Sequence, residues 1–123
     1  MTSNPTDGQT IYLGQLPAAP TTTAATRKIY IRKAGTIKAA NIYSYSSTAG
    51  TSEVRSGYIR LNNTTDYLIQ AISVGANERV RSNSSLSIAV DAGDYVEIKM
   101  INPTWPGSSN PSGTIFGGYI YIE

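Results

Sequence analysis

Along this chain, short runs of alternating apolar and polar residues are broken at regular intervals by Gly, Asn, Asp and Ser. In Leu86-Ser87-Ile88-Ala89-Val90 the large apolar residues take every second position. In Tyr95-Val96-Glu97-Ile98-Lys99-Met100 they do so again. Strand side chains point to opposite faces with a period of two, so Val96, Ile98 and Met100 are expected inward, with Glu97 and Lys99 toward water. By contrast, Tyr67-Leu68-Ile69-Gln70-Ala71-Ile72 and the final Phe116-Gly117-Gly118-Tyr119-Ile120-Tyr121-Ile122-Glu123 carry large side chains on both faces. The pattern predicts strands over 28–33, 36–46, 54–61, 67–74, 78–80, 86–90, 95–101 and 114–122. The residues between them suit turns. No apolar stripe of helical period occurs, so the chain reads as all-β.

The two kinds of strand imply two kinds of surface. A mixture of this sort over about eight strands fits an antiparallel two-sheet jelly-roll sandwich better than an up-and-down barrel, whose strands would all alternate alike. Residues 1–26 differ from the rest: Pro5, Pro17 and Pro20 and the run of small residues from Ala18 to Thr26 cannot nucleate a core. They read as an extended amino-terminal arm or linker ahead of a jelly-roll domain over 27–123. Within the arm, Thr10-Ile11-Tyr12-Leu13 is a short apolar patch that can dock as an edge strand or lie along a neighbouring subunit. The last strand, with tyrosines on one side and isoleucines on the other, has more large surface than one small core can cover. It is expected to contact a partner chain.

Composition narrows the chemistry. The 123 residues make one domain, able to bury roughly 65–70% of its unfolded surface. With no Cys and no His, disulfides, thiolate metal sites and the commonest general base are excluded. Glu53, Asp66, Glu78 and Glu97 show no spacing that pairs two carboxylates, and no phosphate-binding glycine loop occurs. An enzyme is not expected, nor a cofactor. Asp91 and Asp94 bracket a tight turn; they read as turn caps rather than Ca²⁺ ligands, and no metal site is expected. A formal charge of +2 is too balanced to capture nucleic acid, and the cluster Arg27, Lys28, Arg32, Lys33 and Lys38 reads as a solvated or edge-protecting face. No stretch is apolar for long enough to cross a bilayer, and Met1-Thr2-Ser3-Asn4-Pro5 lacks the features of a secretion signal, so a soluble protein without a membrane partner is expected.

The chain carries two resemblances. Asp91-Ala92-Gly93-Asp94-Tyr95-Val96-Glu97-Ile98, followed by Phe116-x-Gly118-Tyr119-Ile120-Tyr121 at the end, resembles the closing pattern of the tumour necrosis factor and complement globular-head superfamily. That likeness implies a last strand central in its sheet and three jelly rolls packed about a threefold axis on aromatic residues. Arg32-Lys33-Ala34-Gly35-Thr36-Ile37-Lys38-Ala39-Ala40, Tyr58-Ile59-Arg60-Leu61-Asn62-Asn63 and Ala92-Gly93-Asp94-Tyr95-Val96-Glu97-Ile98-Lys99 are similar to small structural proteins and fibre tips of tailed bacteriophages. Arg55 and Arg81 depart from the pattern, standing where an apolar residue is more natural beside Val54 and Val80.

On these grounds the expected function is that of a non-enzymatic virion protein, a homotrimeric fibre tip or capsid decoration. Its expected partners are other virion proteins and a host-surface glycan or receptor. Tyrosine is the enriched aromatic, nine against one Phe and one Trp. A phenol buries a ring while keeping a hydrogen bond, which suits a wet seam between subunits. Tyr119 and Tyr121 are the first candidates for the trimer interface, with Tyr58 and Tyr67 next. The alternative is a carbohydrate-binding module using the loop over 102–113, in which Trp105 and Asn110 would meet a sugar. Against it stands a second role for that indole, plugging the end of the sandwich.

Overall fold

The computed structural model describes residues 2–3, 5–14, 20–47, 53–74, 77–107 and 110–123. In chain order the strands are β1 (Thr2–Ser3), β2 (Thr10–Leu13), β3 (Ile29–Tyr30), β4 (Gly35–Ser46), β5 (Val54–Leu61), β6 (Thr65–Ser73), β7 (Asn77–Asn83), β8 (Ile88–Val90), β9 (Tyr95–Ile101) and β10 (Thr114–Ile122). Among the described residues, one 3-10 turn lies at Ala24–Thr26. The chain is all-β, and its strands form two antiparallel sheets in a β-sandwich. One has the order β1-β10-β4-β7, with β8 on the same edge of β4 as β7; the other has the order β2-β9-β5-β6, with β3 beside β2 on β9. No described helix is long and apolar enough to cross a membrane.

The core lies between the sheets, where Ile37, Ile42, Ile59, Val96, Ile98 and Met100 are fully enclosed. Each such side chain contributes about 1.5–3 kcal/mol by leaving water. The β5–β6 hairpin closes on Asn62 and Asn63, both left-handed at φ 50° and 59°, with the Thr64 amide donating to the Leu61 carbonyl at 3.0 Å. Paired left-handed residues match the twist of the flanking strands, and asparagine tolerates that conformation better than most.

Several expectations meet the structure directly. The patch at Thr10–Leu13 docks along β9 as an edge strand, with Ile11 and Leu13 in the core, so this part of the first 26 residues belongs to the second sheet. Residues 81–83, expected in a turn, continue β7 instead, because Ala40 to Ser46 of β4 pairs with β7 as far as Asn83. Long-range pairing here overrides the local turn preference of Ser and Asn. Glu97 corrects a simpler expectation: it points away from the core as the alternation requires, but it is 0% exposed. Its neighbours on the outer face cover it.

Candidate functional site

Cross-strand register builds the outer face of the first sheet. Ile115 of β10 lies opposite Tyr45 of β4, itself opposite Glu78 of β7; Gly117, Tyr43 and Val80 form the next row, then Tyr119, Asn41 and Ser82, and then Tyr121 beside Ala39. Directly opposed residues in an antiparallel pair share a face, so these side chains make one surface. Tyr119 is 62% exposed and Tyr121 51%, and Ile115 and Val80 are exposed beside them. Glu78 is the one charged residue in these rows. The surface is apolar, aromatic and open.

Two adjacent glycines divide the work of β10. A Cβ on Gly118 would stand 2.7 Å from the Asn41 carbonyl oxygen and 2.9 Å from Ile98 Cδ1, so the strand approaches the core there as only glycine allows. A Cβ on Gly117 would meet nothing within 4 Å. Gly117 therefore leaves a notch in the outer face between Ile115 and Tyr119. At the far end of β10, Ile122 and Glu123 join residues Ile29 to Ala34 around a groove of about 500 Å³, where Arg32 and Lys33 are exposed.

The outer face of the second sheet is closed by charge. Glu97 lies opposite Arg60, which lies opposite Asp66. Arg60 donates to the Tyr12 hydroxyl at 3.0 Å and to the Asn63 carbonyl at 2.9 Å, while Lys99 bonds the Asp66 carboxylate. Lys28 lies over the Tyr95 ring at 4.0 Å. Loss of water pushes the Glu97 carboxyl above its ordinary value, and the charges of Arg60 and Lys28 oppose that shift only in part. The exposed apolar residues on this sheet, Tyr30, Val54 and Leu68, lie on three different strands, β3, β5 and β6, and the Tyr30 ring lies against Tyr95 with centres 5.9 Å apart.

The four tyrosines expected at one seam occupy three environments. Tyr119 and Tyr121 share the open face of the first sheet. Tyr58 is on the outer face of the second sheet, opposite Lys99, whose ammonium lies 5.7 Å from the centre of its ring. Tyr67 packs partly buried against the core. A single flat contact can contain the first two and not the others.

The interior is polar at the end where β5 starts and β9 ends. The local polarity of Val54-Arg55 and Val80-Arg81 is inverted: the valines are exposed, whereas Arg55 is 1% exposed and Arg81 0%. Arg81 Nε donates to the Arg55 carbonyl at 3.1 Å and Nη1 to the Ser44 hydroxyl at 3.1 Å, while Ser46 and Thr114 hydroxyls bond one another at 3.0 Å. The Arg55 guanidinium lies 5.1 Å from the centre of the Phe116 ring and 5.9 Å from that of Trp105. Burial, then the nearby Arg81 charge, pull the Arg55 guanidinium down to about 9. Burial, then Arg79, pull Arg81 down to about 10. Both stay cationic at neutral pH. Cation–aromatic contacts return about 0.5–2 kcal/mol, less than the several kcal/mol that burying an unpaired ion costs.

Trp105 is 2% exposed and caps this end, its backbone amide donating to Asp7 Oδ1 at 3.1 Å. Its ring fills the end of the sandwich, the role weighed from the sequence against stacking on a sugar. Asn110 is half-buried. At the opposite end, Asp94 accepts from the Asp91 amide at 2.8 Å and from Asn62 Nδ2 at 2.8 Å, and Gly93 supplies the turn's positive φ of 102°. These two hydrogen bonds, the backbone one first, hold its carboxyl below the usual range. Among the described residues, no group of three or more acidic, His or Cys side chains gathers as metal ligands.

Sequence reasoning passed over the Glu97–Arg60–Asp66 row and the arginine-lined interior. For the first, the signal was the opposition of charged residues on three strands. For the second, it was two Val-Arg pairs, one at the start of β5 and one in the middle of β7. Comparisons with protein-family models, with curated proteins and with solved structures find no match for this chain.

Proposed function

We propose that this protein is a non-enzymatic structural module, a jelly roll that assembles as a homotrimer through the outer face of its first sheet. The observation that carries the reading is the contiguous, nearly uncharged surface of Ile115, Tyr119, Tyr121, Tyr43, Tyr45 and Val80 on the last strand and its neighbours. Exposed apolar surface of this kind is costly in water and is normally covered by another chain. The jelly-roll assignment is supported by the winding of the chain: β4, β7, β8 and β10 alternate with β5, β6 and β9 between the sheets, and β10 lies between β1 and β4.

The virion role, as a phage fibre tip or capsid decoration contacting other virion proteins and a host-surface glycan or receptor, is supported by the resemblance of Arg32 to Ala40, Tyr58 to Asn63 and Ala92 to Lys99 to such proteins. Sedimentation equilibrium at micromolar concentration tests the assembly: a species of three chain masses is expected. A single compact subunit with its β10 tyrosines open to solvent would sink the proposal. Portal, tail or capsid genes flanking the coding sequence would support the virion role, and flanking genes of sugar metabolism would count against it.

A further inference from the structure

Two cations lie between the sheets without an anion. The eight acidic residues of the chain all fall among the described residues, where the ion pairs are Arg60–Asp66 and Lys99–Asp66. Neither Arg55 nor Arg81 has a carboxylate partner, and each is at most 1% exposed. Arg81 has acceptors for its nitrogens: the Arg55 carbonyl, the Ser44 hydroxyl and, at 3.5 Å, the Ile72 carbonyl. Arg55 is different. Its Nε and Nη2 are buried without a hydrogen-bond partner among the described residues, and so is the indole Nε1 of Trp105.

These unmatched donors share a neighbourhood, since the Arg55 guanidinium lies over the ring that carries Trp105 Nε1. The aromatic faces of Trp105 and Phe116 temper the charge but offer no lone pair to an N–H. A water molecule would accept from these donors while leaving both charges in place. An anion answers both needs, because it accepts hydrogen bonds and offsets the mutual repulsion of two buried guanidiniums. The enclosure of the donors restricts it to a small species that sheds water easily.

We propose that the Arg55–Trp105 end of the sandwich binds one small inorganic monoanion of the halide class, held by Arg55 Nε and Nη2 and by the indole N–H of Trp105. The site is independent of the assembly proposed above.

Trp105 is the only tryptophan in the chain, so the emission of the intact protein reports on this place. Bromide titrated against gluconate at constant ionic strength is expected to quench Trp105 along a saturating curve. Chloride should reverse the quenching competitively, and the neutral quencher acrylamide should act only weakly on the buried ring. Arg55→Met should abolish the saturable component, whereas Arg60→Met, on the outer face of the second sheet, should retain it. Quenching that rises linearly with bromide and ignores chloride would overturn the proposal, as would equal curves for the wild type and Arg55→Met. Should Arg55→Met fail to fold, competition between bromide and chloride on the wild type decides the matter alone.

Discussion

Tyr119 and Glu97 both point away from the space between the sheets, yet the first is 62% exposed and the second 0%. The tyrosine stands beside Asn41 and Ser82, whose short side chains cannot reach over it. The glutamate lies in a row with Arg60, next to a long tyrosine and lysine row, and is roofed by them. Outward direction is a property of the strand, whereas exposure is a property of its cross-strand neighbours. The second sheet thus covers the middle of its outer surface with its own charged side chains and leaves Tyr30, Val54 and Leu68 exposed on separate strands, while the first leaves a contiguous aromatic surface open.

The adjacent glycines of β10 give the sharpest way to break this contrast. Gly118→Val forces a side chain against the Asn41 carbonyl and Ile98. It should cost about 3 kcal/mol or more of stability, read as a fall in the urea midpoint. Arg60→Met should come next, costing about 1–3 kcal/mol. It removes the hydrogen bonds to Tyr12 and Asn63 and leaves Glu97 with less compensation. The mass of the assembly should stay the same, since that face is closed within the subunit.

Gly117→Glu reverses the pattern. Nothing within 4 Å opposes its side chain, so the stability of the separated subunit should change by less than about 0.5 kcal/mol. Sedimentation should nevertheless show dissociation, because a carboxylate would fill the notch in the open face. A stable trimer of this variant would mean that the aromatic surface is not the contact.

The smallest effects concern pH. The raised carboxyl of Glu97 makes a contribution that is complete below its unfolded pKa and lost as pH rises through its folded value. Glu97→Gln should therefore match the wild type in acid and exceed it at neutral pH. Asp94 runs the other way: its depressed carboxyl stabilises above the unfolded pKa, and that stability is lost as pH falls through the folded value. Asp94→Asn should flatten the acid limb of a thermal-melt profile while leaving the neutral-to-basic limb unchanged in shape.

Local pattern carried much of the fold. The strands Val54–Leu61, Tyr95–Ile101 and Thr114–Ile122 coincide with their expected spans, since two-residue alternation and turn chemistry act within a few neighbours. The turn at Asn62-Asn63 and the cap at Asp94 were readable for the same reason. Alternation divides a strand into two faces but does not say which one lies inside. At Val54-Arg55 and Val80-Arg81 hydropathy alone would choose the valines, and the structure chooses the arginines. That choice belongs to β4, β5 and β7 together, because the register that seats Ile42 and Ile59 in the core also turns Arg81 and Arg55 inward. The burial of Glu97, the plug made by Trp105 and the separation of Tyr58 and Tyr67 from Tyr119 and Tyr121 have the same origin. The chain by itself set where strands begin, end and turn; the pairing of strands distant in sequence decided which side chains meet water, because burial is made by neighbours that no short stretch of sequence contains.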